Sequence, residues 1–278
     1  MRSYLYDGTP IGLLTALAAA IEEDGGGEAE IFPPGPGPGL FTQARRVPAD
    51  PGRAAALLRY LAAHLPPEIL AELFPAFFAG ESGAGMTILD YLRLLLRTGG
   101  GAAEDWGDER VRRARLLARR VRHEVHRLHG FIRFRRLADG TYYAAVSPDH
   151  AVLPLLAPHF AARFADQRWL IHDTKRNSGL YYDGRRVCFL PAVEGTPGRP
   201  GGLPPSEGEE IYERLFREYF RRIAVPERRN ERLQRQRVPL RYRRNMVEMR
   251  EPPSNLRHDP GEFGEIPQAA CDDGLDDL

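Results

Sequence analysis

Lysine is almost missing from this chain: of 39 Lys and Arg residues, Lys175 is the one lysine. A GC-rich genome favours arginine codons and accounts for that ratio, though not for the clustering of the arginines. Cysteine is also scarce, Cys188 and Cys271 being far apart. No disulfide framework or zinc-ribbon spacing can be written with them, which points to a reducing, cytoplasmic setting. The first residues, MRSYLYDGTP, lack the apolar core of a signal peptide, and no apolar run reaches spanning length, so no membrane association is expected. A P-loop, a dinucleotide fingerprint and a CxxxCxxC cluster are all lacking, and no nucleotide cofactor or iron–sulfur cluster is expected in this chain.

What is present is ordinary in bulk and uneven in place. The 278 residues, 42% hydrophobic and 28% charged, suffice for a sizeable core. The formal charge of +1 averages over unlike regions. Residues 101–250 carry 31 Lys/Arg against 19 Asp/Glu, whereas residues 251–278 carry 1 against 8. Such asymmetry favours a polyanionic partner for the basic body.

Along the chain, Ser3–Tyr6 reads as a strand closed by Asp7-Gly8. Thr9 then offers an N-cap, and Pro10 takes the first helical position, where its missing N–H costs nothing. Residues 33–39 (PPGPGPG) exclude regular structure and read as a surface loop or lid. Gly52–Leu65, Pro67–Phe78 and Met86–Arg97 read as three helices. Asp108–His129 is a long basic helix whose apolar stripe runs through Val111, Ala114, Ala118, Val121, Val125 and Leu128. Gly130 is placed as the left-handed residue that ends it.

Phe131–Leu137 then alternates as a strand, turns at Asp139-Gly140, and returns as Tyr142–Val146. Pro154 and Pro158 restrict the next helix to Pro158–Phe164. Trp169–Thr174, Leu180–Tyr182 and Arg186–Leu190 supply further strands. The expectation is an α+β fold: a helical N-terminal part, a four- to five-stranded antiparallel sheet in the order β-β-α-β-β, and C-terminal helices. Ser206 and Glu209 form a capping box that opens the first of those helices. Residues 1–250 are expected to form a single core, helical over about 1–129, sheet over about 130–192 and helical again over about 206–250. Residues 251–278 hold too little apolar surface to fold and read as an acidic disordered tail.

Collinear stretches then bring in a family. They are Tyr6-Asp7-Gly8 with Leu13–Ala16, EVHRLHGFIRF at 124–134 with Asp139-Gly140, HFAARF at 159–164, WLIHDTKR at 169–176, LYYDG at 180–184, EYF at 218–220, ERRN at 227–230 and VPLRY at 238–242. Together they resemble a bacterial family described as DNA metabolism or DNA repair proteins, whose core is a domain of unknown function. The resemblance implies a setting in DNA repair, with a radical-SAM protein carrying a helix-hairpin-helix element as partner. Some members are fused to a uracil-DNA glycosylase domain. No glycosylase-like extension follows the shared core here, and glycosylase activity is not expected.

Three readings of the chemistry-bearing residues remain open. The string His123-Glu124-Val125-His126 is HExH rather than HExxH, so the metal geometry of a zincin is lacking and no metal site is expected. Glu124, His126, Arg127, Gly130, Phe131, Arg133 and Phe134 match the family pattern, while His123 and His129 do not. Glu124 and Arg127 stand three apart and suit an intrahelical ion pair. If they converge with His159, Arg163 and Asp173, the five would form a catalytic set acting on damaged bases or DNA ends. The leading reading is instead a nucleic-acid-binding accessory protein. Arginines interleaved with Phe131, Phe134, Tyr142 and Tyr143 suit phosphate contact and base stacking, with Arg133, Arg135, Lys175, Arg176, Arg228 and Arg241 as contacts. A third reading is a protein-docking adaptor that does not bind DNA.

Overall fold

The computed structural model describes residues 2–24, 29–35, 44–194, 204–223 and 230–249. Arg228, the acidic segment past Pro252 and residues 36–39 of the Pro/Gly loop lie outside them. Strand β1 (Arg2–Leu5) leads into α1 (Pro10–Asp24), where the Thr9 hydroxyl accepts the Gly12 N–H at 3.0 Å as the expected cap. Two short strands the sequence did not disclose, β2 (Ala29–Phe32) and β3 (Ala44–Arg46), pair parallel to β1 on either side. Three helices follow: α2 (Pro51–His64), α3 (Pro67–Leu73), continued by a 3-10 turn over Phe74–Phe78, and α4 (Ala84–Thr98).

The long helix α5 (Glu109–Phe131) is organised by its apolar stripe. Val111, Ala114, Leu117, Ala118, Val121 and Leu128 are buried against α3, α4 and the Phe74–Phe78 turn. Asp108 caps it, accepting the Arg110 N–H at 2.8 Å. The helix does not stop at Gly130. That residue has no positive φ, and α5 runs on to Phe131 until Ile132 turns extended at φ −66°, ψ 128°. Glycine permits a left-handed end without requiring one.

The second sheet has the order β4-β5-β6-β7-β8, comprising β4 (Arg135–Arg136), β5 (Tyr142–Val146), β6 (Trp169–Asp173), β7 (Ser178–Tyr182) and β8 (Val187–Leu190). It is mixed, not purely antiparallel: β5 and β6 pair parallel, Tyr142 opposite Trp169 through Val146 opposite Asp173. The cause is α6 (Leu153–Arg163), a crossover helix that returns the chain so that β6 runs in the same direction as β5. This helix starts earlier than the prolines suggested. Pro154 falls in its first turn, where no N–H is needed, and Pro158 is carried inside it.

Trp169 and Ile171 are fully buried, and α6 packs on this part of the sheet through Leu153, Leu156 and Phe160. The C-terminal helices are α7 (Glu209–Ile223), α8 (Glu231–Arg237) and α9 (Leu240–Arg243). Helix α7 begins at Glu209, three residues after the expected cap, and none of its residues is buried. No helix among the described residues is long and apolar enough to cross a membrane.

Candidate functional site

Helix α5 presents two kinds of arginine. Towards its N-terminus the guanidiniums are paired: Arg112 and Arg113 with Glu109, Arg115 with Glu72 (3.1 Å) and Glu104 (2.8 Å), and Arg120 with Glu81. Arg119, Arg122 and Arg127 have no carboxylate or other hydrogen-bond partner among the described residues. With His123 and His126 they recur at three- and four-residue steps and so share one helix face. His123 records the field there. Its proton affinity is lowered by partial burial and by Arg127, His126, Arg119 and Arg237 of α8, all cationic or able to become so. Among the described residues, no carboxylate pairs with the arginines of this face.

The inward side of the same helix does different work. Glu124 is buried, and its carboxylate accepts hydrogen bonds from the N–H of Asp149 (2.9 Å) and His150 (2.8 Å), from the Tyr242 hydroxyl, and from Arg241 (3.4 Å). Burial alone would raise its proton affinity, but these donors outweigh it and hold Glu124 below the usual glutamate range. Tyr242 is pushed the other way, by burial first and then by the carboxylate beside it. Arg241 bridges on to Asp149 at 2.7 Å and lies over the Tyr242 ring, 4.7 Å from its centroid. Glu124 therefore ties α9 and the loop after β5 to α5. The expected pair with Arg127 does not form, because the carboxylate turns to donors in the interior while Arg127 stays on the basic face.

Asp173, at the end of β6, is another anchor. It accepts the N–H of Lys175 (2.9 Å) and Arg176 (3.2 Å) and pairs with the Arg176 guanidinium at 2.9 Å. Arg176 also donates to the carbonyls of Pro148 (3.2 Å) and Asp149 (2.7 Å). Thus Glu124 and Asp173 hold one loop, residues 147–150, from two sides. Gly80 completes the junction, its N–H donating to His150 Nδ1 at 3.2 Å. A Cβ on Gly80 would stand 2.5 Å from the Asp149 carbonyl and 2.6 Å from Arg176, so only glycine fits.

The remaining members of the five-residue set are elsewhere. His159 stacks on His129 with ring centroids 4.0 Å apart, and the exposed Arg163 lies 5.7 Å from the centroid of the Phe164 ring. Of the nucleic-acid contacts named from sequence, Arg176 and Arg241 are held as described. Arg133 pairs with the Glu248 carboxylate at 2.8 Å and donates to the Gly130 carbonyl at 2.7 Å. Arg135 lies 5.2 Å from the centroid of Tyr143, and Lys175 is exposed. The residues missed by sequence reasoning are Asp149, His150, Tyr242 and Gly80, and Tyr143, expected on an exposed stacking face, is instead buried against His172 (2.9 Å). VPLRY, which contains Arg241 and Tyr242, and WLIHDTKR, which contains His172, drew notice beforehand, and nothing local in either points to Glu124. Among the described residues, no group of three or more His, Cys, Asp or Glu is placed to hold a metal ion.

The described residues thus form an α+β fold in which a buried carboxylate junction lies on one side of α5 and an arginine- and histidine-bearing face on another. A family model, the domain of unknown function DUF4130, matches residues 82–248, which include α5, the whole second sheet and α9. The chain belongs to that family. No curated protein gives a significant match.

Proposed function

We propose that the protein binds nucleic acid through the exposed face of α5 and acts in DNA repair or DNA metabolism beside a radical-SAM partner. The observation that supports the binding is the stripe Arg119, Arg122, His123, His126 and Arg127. Its arginines lack carboxylate partners among the described residues, and the charged neighbours that act most on His123 are basic groups. A polyanion complements such a surface, and arginine suits phosphate oxygens in particular. The repair setting and the partner follow from the family resemblance set out above. The catalytic alternative draws less support, because Glu124 is buried and its carboxylate is already engaged by four donors, three on Oε1 and one on Oε2.

Titration of a labelled DNA duplex at about 50 and about 200 mM salt tests the reading, with the variant R119A/R122A/R127A alongside the parent. Each phosphate contact adds about 0.9 to the salt slope, so losing three lowers it by about 2.7. Over that salt range the parent should lose roughly 40-fold more affinity than the variant. Equal slopes for the two proteins would remove the α5 face from the interface. Co-purification with the radical-SAM protein tests the partner.

A further inference from the structure

Immediately after α5 the chain lines a second feature that the basic face does not use. Ile132, Arg133, Phe134, Tyr142, Phe164 and Trp169 surround a cavity of about 350 Å³, with Asp166 and Gln167 also in its wall. This is within the size range of small-ligand sites. Half of these eight residues are aromatic. Phe134 meets Phe164 edge-on with centroids 5.3 Å apart and lies 6.4 Å from Trp169, which is itself stacked on Tyr182 at 5.3 Å. The rings are therefore fixed by packing against one another, and the cavity need not assemble when a ligand arrives.

The polar groups are few and sit beside these rings. Trp169 is fully buried, yet its indole N–H has no hydrogen-bond partner. An unpaired buried donor is costly and unusual in a packed core. The Tyr142 hydroxyl has no partner among the described residues. Gln167 donates to Asp166 at 3.2 Å, leaving its carboxamide oxygen available as an acceptor. Around flat apolar faces the cavity wall thus carries the Tyr142 hydroxyl and the Gln167 carboxamide, which can donate and accept. A planar heteroaromatic group with hydrogen-bonding edges satisfies both.

We infer that this cavity takes a nucleobase. The inference rests on the nucleic-acid reading for its choice among heteroaromatic ligands, but not on the α5 face for its geometry. The base has two sources, a free nucleotide or a base turned out of a strand held on α5. Along the helix axis, Arg127 and the start of the cavity at Ile132 are separated by roughly 8 Å.

The chain holds two tryptophans, and Trp106 is exposed and remote in sequence from the cavity. In full-length W106F, Trp169 becomes the sole indole reporter. Three probes are titrated: a single-stranded oligonucleotide, a strand of equal length made wholly of abasic sites, and deoxyadenosine monophosphate. Anisotropy of labelled strands is followed in parallel with Trp169 emission. The base-bearing strand should quench Trp169 at least twofold, while the abasic strand binds with the same salt slope and leaves the emission unchanged. Quenching by the mononucleotide as well assigns the free source; quenching by the strand alone assigns the turned-out base.

Q167A should weaken the quenching titration at least threefold and leave abasic-strand binding as it was. Emission insensitive to every base-bearing probe, or equal quenching by the abasic strand, overturns the inference. Because abasic-strand binding is measured separately, failure of the cavity and failure of the α5 face give different results.

Discussion

Replacing Glu124 with alanine separates an anchoring role from a catalytic one. The carboxylate is buried and accepts from two backbone N–H groups, a phenol and an arginine. Alanine removes the carboxylate that those four donors share. Removing one partner from a buried charged network costs about 3–5 kcal/mol. Spread over a domain of this size, each kcal/mol lowers Tm by about 2–4 °C. E124A should therefore melt roughly 6–20 °C below the parent, and Y242F, which removes one donor and keeps the carboxylate, should lose only about 1–2 kcal/mol.

The assay is thermal and denaturant unfolding of the full chain, with E124A, Y242F and the double variant in a cycle. Contact between the two side chains requires the double variant to fall short of the sum of the singles. The pH dependence gives a second handle. Glu124 has a lowered proton affinity in the folded state, so its contribution is complete above the ordinary glutamate range and is lost as pH falls through the lower folded value. The gap between parent and E124A should accordingly close in acid. An E124A protein that melts within about 1 °C of the parent at neutral pH would refute the anchoring argument and return Glu124 to the catalytic candidates.

Three further outcomes follow from the same geometry. A Cβ at Gly130 would meet nothing within 4 Å, and the residue is helical, so G130A should raise stability by about 0.5–1 kcal/mol; a left-handed residue there would instead lose stability. His123 should titrate below the ordinary histidine value in the free protein, as followed by NMR, and move upward when DNA supplies negative charge. DNA affinity should then strengthen as pH falls through the histidine range, and loss of that trend in H123N would tie it to this ring. R133A leaves the Glu248 carboxylate, whose side chain is wholly buried, without its cation, and should cost about 3–5 kcal/mol while leaving the salt slope of DNA binding nearly unchanged. A slope lowered by a full contact would place Arg133 on the phosphate instead.

Much of α5 was legible because its signals are local. Val111, Ala114, Ala118, Val121 and Leu128 recur at helical spacing, and that spacing suffices to say which side is buried and which carries the arginines. Its end was misplaced for a physical reason: glycine tolerates the helical region as readily as the left-handed one. The direction of β6 was also missed. The alternation of Trp169–Asp173 is the same whether its neighbour runs with it or against it, and only the crossover through α6 decides.

By itself the sequence determined the α+β character, the basic helix and its stripe, and the family-matched stretches along residues 124–242. Each of these depends on residues within a few turns or a single strand of one another. The tertiary structure alone decided which charges are spent. Glu124 finds Arg241 and Tyr242 more than a hundred residues away, Arg133 finds Glu248, and Arg176 finds the carbonyls of Pro148 and Asp149. Three arginines that looked like phosphate ligands are thereby occupied, whereas Arg119 and Arg122, which looked like surface charge, and Arg127, expected to pair with Glu124, have no carboxylate partner among the described residues. Whether a charge is paired depends on what folding brings within about 4 Å of it, and periodicity along the chain carries no record of that.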